Sequence, residues 1–243
     1  MKRLLLGVAF SAMFCVSVQA DEPTTEAIGT NAGAGHDWSG FFAGVQAGGH
    51  ISRDKWNDPN FPAAAGVSNF NGALVGVHAG YYAQHMNYVF GLVGELEWTQ
   101  GSKMALSPGP VFRGGGLWGG AKARWQAAIL ARIGRAFDNY LLYGTAGLAL
   151  GNYRFDFGGA GLPAAFQDGF TKTVAGVTFG VGGSAVVHEN MIASLEVRHT
   201  IYGAATGTII NCCAPPPSMQ RHVVTTTAVR ASMTFMLGGI LGQ

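Results

Sequence analysis

The sequence contains little cysteine and little charge, and beyond its first twenty residues it has no long apolar run. Three of its 243 residues are cysteine, and Lys, Arg, Asp and Glu together make up 12% of the chain. A typical soluble domain is about one quarter charged. No uninterrupted stretch of eighteen apolar residues occurs after residue 20, so membrane-spanning helices are not expected.

The chain also lacks an excess of either charge. Loss of residues 1–20 would remove Lys2 and Arg3 and no acid, leaving 13 basic against 13 acidic residues. This balance does not indicate nucleic-acid binding. The mean hydropathy is +0.22. An exported apolar chain without spanning helices predicts a closed β-barrel, which satisfies all its backbone groups within lipid.

The first residues indicate export. Lys2 and Arg3 precede the apolar run 4–18, and Val18 and Ala20 place small residues at a signal-peptidase site. We predict a Sec-type signal peptide at 1–20, a periplasmic lead at 21–37, a barrel at 38–237 and a C-terminal extension at 238–243.

From Trp38 onward apolar residues alternate with small or polar residues, as in barrel strands with one face to lipid and one to the lumen. In one segment Leu195 and Val197 alternate with Glu196 and Arg198. The prediction is an all-β fold, an eight-stranded antiparallel transmembrane barrel. Its strands are predicted at 38–51, 72–83, 88–100, 122–134, 140–153, 173–187, 191–202 and 223–237. The facing of the fifth strand is ambiguous, because both of its faces are apolar or small.

The connections alternate in length. Short turns are predicted at 84–87, 136–139 and 188–190, and long loops at 52–71, 101–121, 154–172 and 203–222. Outer-membrane barrels combine short periplasmic turns with long outer loops. An even number of strands then places both ends of the barrel in the periplasm.

Charged residues within the strands are predicted to form a structural network in the barrel interior. The predicted members are Glu95, Glu97, Lys122, Arg124, Arg132, Glu196, Arg198 and Arg230. An eight-stranded interior is just wide enough for side chains to fill, and buried charges require partners. A salt-bridge core is therefore expected. The alternative is a narrow pathway for small solutes, which the inward glycines 76, 80, 176, 180 and 182 would leave room for. Acid–base catalysis by the carboxylates is less favoured, because no nucleophile or metal set accompanies them.

Several segments resemble a known family. They are WSGFFAGVQAG at 38–48, LLYGTAGLA at 141–149, LEVRH at 195–199 and Val229-Arg230. Over about 38–237 the chain resembles the small outer-membrane β-barrel proteins of α-proteobacteria, called porin-family or outer-membrane immunogenic proteins. The shared motifs are structural and none is catalytic. Members usually end in an aromatic residue read by the assembly machinery. Here Leu237 holds that place, and we expect Phe235 to act as a displaced substitute.

Three further features suggest lesser alternatives. The seven histidines show no metal-ligand spacing, but the family includes haemin binders, which leaves His222 in a predicted outer loop as a candidate for surface haem binding. His199 is predicted on the lipid face, where a lipid-modifying enzyme would need a Ser partner that the adjacent pattern does not offer. Cys212 and Cys213 in the last outer loop could form a strained vicinal disulfide, remain free, or pair between molecules.

The predicted function is that of a structural or surface protein of the Gram-negative outer membrane. The barrel would act as an anchor, and its loops would serve envelope integrity or contact host or extracellular ligands. The expected partners are outer-membrane lipid and the assembly machinery, with no nucleic acid, metal or cofactor. No enzymatic activity is predicted, and a narrow porin-like pore is the main alternative.

Overall fold

A computed structural model describes residues 36–59, 61–106, 117–159, 168–209 and 218–237. The predicted signal peptide, most of the lead segment, the C-terminal extension and Cys212 and Cys213 lie outside these residues. Nine strands are present in the described part of the chain. They are β1 (Gly40–Asp58), β2 (Phe61–His85), β3 (Tyr88–Thr99), β4 (Ser102–Leu106), β5 (Leu117–Phe137), β6 (Tyr140–Gly159), β7 (Asp168–His188), β8 (Met191–Ile209) and β9 (Ser218–Met236).

The strands close into one antiparallel ring. Apart from β3 and β4, neighbours in sequence pair with each other; β1 pairs with β9, and β5 pairs with both β3 and β4. The short β4 continues β3 along the same side of β5, so the wall has eight strand positions. The predicted eight-stranded antiparallel barrel is confirmed. Within the described residues, no helix is long and apolar enough to cross a membrane.

The break between β3 and β4 depends on two glycines. Gly101 has a φ of 154°, and Gln100 donates its backbone N–H to the carbonyl of Ala73 at 2.9 Å. A Cβ added to Gly72 would lie 1.4 Å from the Gln100 carbonyl oxygen. The two backbones can approach this closely only because position 72 carries no side chain.

The strands extend further at one end than the sequence predicted. β1 and β2 remain paired from Gly40 opposite Tyr82 to Asn57 opposite Ala65, so much of the predicted loop 52–71 is a β-hairpin. The other three predicted outer loops also contain strand, at 102–106 and 117–121, 154–159 and 168–172, and 203–209 and 218–222. The predicted loops were too long, because strand residues beyond the lipid resemble loops in composition. Residues 107–116, 160–167 and 210–217 of these loops lie outside the described residues.

The outer surface carries a band of exposed apolar side chains. It runs from Phe41 to Ile51 along β1 and from Tyr88 to Trp98 along β3. Ten residues of strand extend about 33 Å, which a tilt of 35–45° reduces to about 25 Å along the barrel axis. This is the height of the apolar band of outer-membrane barrels. The predicted lipid face therefore has the dimensions that lipid requires.

Candidate functional site

The centre of the lumen contains a cross-barrel ion pair. Arg198 on β8 donates from Nη2 to Glu95 Oε1 on β3 at 2.9 Å and from Nε to Glu196 Oε1 at 2.6 Å. β3 and β8 occupy opposite sides of the ring. The side chains of Arg198 and Glu95 are 2% and 3% exposed, so the pair is shielded from water and each charge depends on the other.

Arg132 on β5 extends this chain of charges. Its Nη2 lies 3.0 Å from Glu196 Oε2, and its Nη1 donates to the Tyr82 hydroxyl. Its guanidinium carbon also lies 4.0 Å from the centre of the Tyr143 ring, within the range of a cation–π contact. Arg132 therefore joins the ionic centre to the aromatic residues at the short-turn end of the lumen.

A second ion pair lies beside the first. Arg230 on β9 donates from Nε and Nη2 to the two oxygens of Glu97, at 2.7 and 2.9 Å. Gln46 on β1 donates to the same carboxylate at 2.8 Å. We call the six charges of these two ion-pair groups the ionic layer, and its three carboxylates balance its three guanidinium groups. Its members are Glu95, Glu97, Arg132, Glu196, Arg198 and Arg230.

Lys122 and Arg124 do not belong to the ionic layer, and their predicted inward facing was wrong. Both side chains are exposed. The register shifts at this point, because Ala123 pairs with Tyr153 while Trp125 pairs with Asn152. Arg124 is thus the extra residue of a β-bulge, which reverses the facing of the residues before it.

The lumen on the short-turn side of the ionic layer is filled by a cluster of buried apolar and aromatic residues. Phe42 stacks on Tyr82 with ring centres 4.2 Å apart. The other large members surround them. They include Trp38, Val89, Leu130, Leu141, Tyr143, Ile192 and Met236. This cluster closes the lumen at its periplasmic end.

A second cluster fills the lumen on the outer side. Tyr202 donates its hydroxyl to Gln126 Oε1 at 2.6 Å and contacts Tyr153 edge to face. Further buried members come from β2, β5, β6, β7 and β9. They include Phe70, Ala121, Phe155, Val174 and Val224. Tyr153 also settles the facing of the predicted fifth strand, because it points inward, as do Leu141 and Tyr143.

His222 belongs to this outer interior and not to a loop, so its predicted loop position was wrong. It lies in β9 with its side chain 1% exposed, and its Nδ1 is 2.9 Å from Asp54 Oδ2. Its ring packs 4.2 Å from the ring of Phe155, centre to centre. A buried histidine held by a carboxylate and an aromatic ring is not available for surface haem binding.

Large side chains occupy the space beside the inward glycines, so these glycines do not line an open channel. A Cβ at Gly80 would lie 2.7 Å from Phe42, and one at Gly182 would lie 2.6 Å from the Tyr143 hydroxyl. At Gly76 the nearest side-chain atom belongs to Glu97, at 2.9 Å. The cavity beside the ionic layer measures about 10 Å³, which is room for a single water molecule.

His199 lies on the outward face, as predicted. Its Nδ1 is 2.8 Å from the Thr227 hydroxyl on β9, and its ring lies 5.5 Å from that of Phe179. The polar partner is thus a threonine on the neighbouring strand. No group of three His, Cys, Asp or Glu side chains within the described ranges could hold a metal ion.

Asp54 and Trp56 were predicted in a loop, but they lie in β1 and their side chains are buried. The signal was present, because exposed Arg53 and Lys55 continue the alternation of β1. His50 and His78, which had no predicted role, are buried as well. In the structure His78 Nε2 lies 2.8 Å from the Thr234 hydroxyl.

Comparison with known proteins agrees with the geometry. The 31 kDa outer-membrane immunogenic protein of Brucella melitensis is 29% identical over 223 residues, which cover 84% of this chain and 88% of that protein. The 22 kDa outer membrane protein of Rhizobium leguminosarum is 28% identical over 165 residues, or 68% of this chain and 64% of that protein. No protein-family model matches the chain.

Among solved structures, the outer membrane protease OmpT from Escherichia coli aligns with a TM-score of 0.52 and 8% identity over 81% of this chain and 96% of that one. This likeness concerns the fold alone. The two relatives are named as outer-membrane proteins, and their names state no enzymatic activity. The predicted resemblance to outer-membrane immunogenic proteins and the predicted location in the outer membrane are confirmed.

Proposed function

We propose that this outer-membrane surface protein is a closed membrane anchor, which holds its outer strand ends above the lipid and neither conducts solutes nor catalyses a reaction. The ionic layer gives the barrel a cross-braced centre, and the clusters on both sides of it fill the lumen. The observation that carries the proposal is the cavity of about 10 Å³ beside the ionic layer.

The ionic layer supports the closed state for an energetic reason. Removing the partner of a buried charge destabilises the folded protein by several kcal/mol. In a water-filled pore each charge would stay solvated, and loss of its partner would cost little. Arg198 contacts Glu95 and Glu196 at once, and Arg230 binds Glu97 through two nitrogens. This bidentate and bridging geometry favours fixed ion pairs. It does not suit charges that line a pore and bind passing ions in turn.

Solute uptake into proteoliposomes tests the closed state. Vesicles containing the wild-type protein are expected to swell in arabinose at the rate of protein-free vesicles. A Phe42→Ala, Tyr153→Ala and Tyr202→Ala triple variant removes large side chains from both clusters and serves as an opened control. Swelling of the wild-type vesicles faster than protein-free vesicles would contradict the proposal.

The outer strand ends are the proposed site of contact with molecules outside the cell. The β1–β2 hairpin extends beyond the lipid-facing band, and its inward residues Asp54 and Trp56 are buried. It therefore presents a structured surface rather than an irregular loop. Replacing residues 53–69 by an Asn-Gly turn should leave a folded barrel and reduce adhesion of expressing cells to host-cell matrix. Equal adhesion by both forms would contradict a role for this hairpin.

A further inference from the structure

Among the described residues, five cations at the outer end of the barrel point outward and form no ion pair. Arg53 and Lys55 lie on β1, Arg221 on β9, and Lys122 and Arg124 on β5, and all five side chains are exposed. We call this set the outer basic rim. The short turns with Asp138 and Glu189 lie at the opposite end of the barrel, so one end of the outward surface carries the surplus positive charge.

The rim lies directly above the lipid-facing band. Ile51 is 68% exposed, and Arg53 follows it by two residues on the same face of β1. On the other side of the barrel Trp98 and Trp125 oppose each other across β3 and β5, and Arg124 immediately precedes Trp125. With a rise of about 3.3 Å per residue and a tilt near 40°, Arg53 lies about 5 Å and Lys55 about 10 Å beyond Ile51 along the axis. At these heights both side chains reach the lipid headgroups.

The rim cations have no carboxylate partner among the described residues. The outward Arg154 differs, because its Nε lies 2.9 Å from Asp156 Oδ1. Both acids at this end of β1, Asp54 and Asp58, are buried, and Asp54 contacts His222. Uncompensated cations therefore remain on the outward face at the height where an outer leaflet has its anionic groups.

The spacing on β1 and β9 suits a multivalent anion. Asn57 pairs with Arg221, and Lys55 pairs with Val223, so Lys55 and Arg221 are diagonal neighbours on one face. Such neighbours are about 7–8 Å apart at the backbone, within reach of one another's long side chains. Arg supplies a planar fork of donors for oxyanions, and Lys adds a compact charge.

We propose that the outer basic rim binds the phosphate or carboxylate groups of the outer-leaflet glycolipid. The rim continues the lipid-facing surface upward, and its charge is complementary to anionic headgroups. The acyl chains contact the apolar band below while the rim holds the head. Bound glycolipid therefore fixes the height and tilt of the barrel and forms part of its surface on the cell.

The test uses protein purified from the outer membrane of an expressing cell, stripped of glycolipid by chelator and held in zwitterionic detergent. Diphosphoryl lipid A is titrated at fixed ionic strength, and the midpoint of the heat-dependent electrophoretic shift is recorded. The variants are R53Q/K55Q/R221Q and K122Q/R124Q. Arg154→Gln is the matched control, because it removes an outward cation of the same end that already has a partner.

Lipid A is expected to raise the midpoint of the wild type and of Arg154→Gln with the same half-saturating concentration. Each rim cation removed should raise that concentration about five-fold, since a cation at an anionic surface contributes about 1 kcal/mol. Electrophoretic shift without lipid A shows whether a variant is folded. If the triple variant does not fold, Lys55→Gln and Arg221→Gln are titrated singly.

Three results would overturn the proposal. The rim variants could bind lipid A as tightly as Arg154→Gln does, which would remove any role for the rim. Dephosphorylated lipid A could protect the wild type equally, which would assign binding to the acyl chains alone. Inorganic phosphate could give the full shift by itself, which would identify a site for soluble anions rather than for lipid.

Discussion

Arg198 and Glu95 meet across the whole width of the lumen, from strands on opposite sides of the barrel. No local interaction along a hairpin can substitute for such a contact. The pair links the fourth hairpin to the second and becomes possible only when the ring has closed. An intact Arg198–Glu95 pair therefore indicates that the barrel has closed.

Replacing Arg198 by Met should destabilise the barrel by about 3–5 kcal/mol, because Glu95 and Glu196 would be left buried without their shared cation. Unfolding in urea, followed by tryptophan fluorescence in detergent, measures the change. The further change Glu95→Gln should recover part of the loss. Equal stability of Arg198→Met and the wild type would show that water enters the layer.

Arg124 and Arg132 should respond oppositely to the same substitution. Arg132→Gln removes contacts to Glu196, Tyr82 and Tyr143 and should lower the unfolding free energy by about 3 kcal/mol. Arg124→Gln alters an exposed side chain and should change stability by less than about 0.5 kcal/mol. Urea unfolding of the two variants side by side is the measurement. Comparable losses of unfolding free energy would indicate that the Arg124 side chain lies in the interior.

Deletion of Arg124 is a sharper test of the bulge. Without this residue Ala123 and Trp125 would alternate regularly opposite Tyr153 and Asn152. We expect a folded barrel in which a cysteine placed at Lys122 still reacts with a membrane-impermeant thiol reagent, in a background lacking Cys212 and Cys213. Protection of that cysteine would mean that the residues before the bulge had turned inward.

Gly91→Ala should destabilise the barrel by about 1–3 kcal/mol, a typical cost of overpacking. The added Cβ would lie 2.5 Å from the ring of Tyr82. The obstacle is a side chain rather than backbone, so Tyr82→Leu in the same molecule should make the alanine nearly neutral. The thermal midpoint of the heat-dependent electrophoretic shift measures both effects, and additive losses would contradict a direct clash.

His222→Leu should cost about 1–3 kcal/mol, the penalty of leaving a buried polar group unsatisfied, because Asp54 would lose its partner. Lys55→Leu, at an exposed position on the same strand as Asp54, is the control and should have little effect. Urea unfolding compares the two. An unchanged His222→Leu variant would indicate that the outer end of the barrel is not a packed interior.

Much of the barrel could be predicted from alternation alone, because lipid on one side and a filled lumen on the other impose a period of two. Glu95, Glu97, Glu196, Arg198 and Arg230 were assigned inward on this basis, and the structure places them there. Their pairing could not be deduced, since it depends on which strands face each other across the ring.

Two features escaped the sequence for physical reasons. A bulge adds one residue to one strand only, so the parity of Lys122 and Arg124 reversed without any change in composition. Beyond the lipid both faces of a strand can be polar, and there the contrast between the faces fades. The alternation of β1 continues through Asp54, but the contact of Asp54 with His222 joins two strands and could not be deduced from either one.

Single-channel recording of the purified full-length protein in a planar bilayer tests the closed interior most directly. The account predicts a correctly folded barrel, verified by its electrophoretic shift, that gives no steady conductance at moderate voltage. Reproducible conductance steps in the wild type, altered in size or ion selectivity by Glu97→Lys, would show an open pathway through the ionic layer and contradict the account.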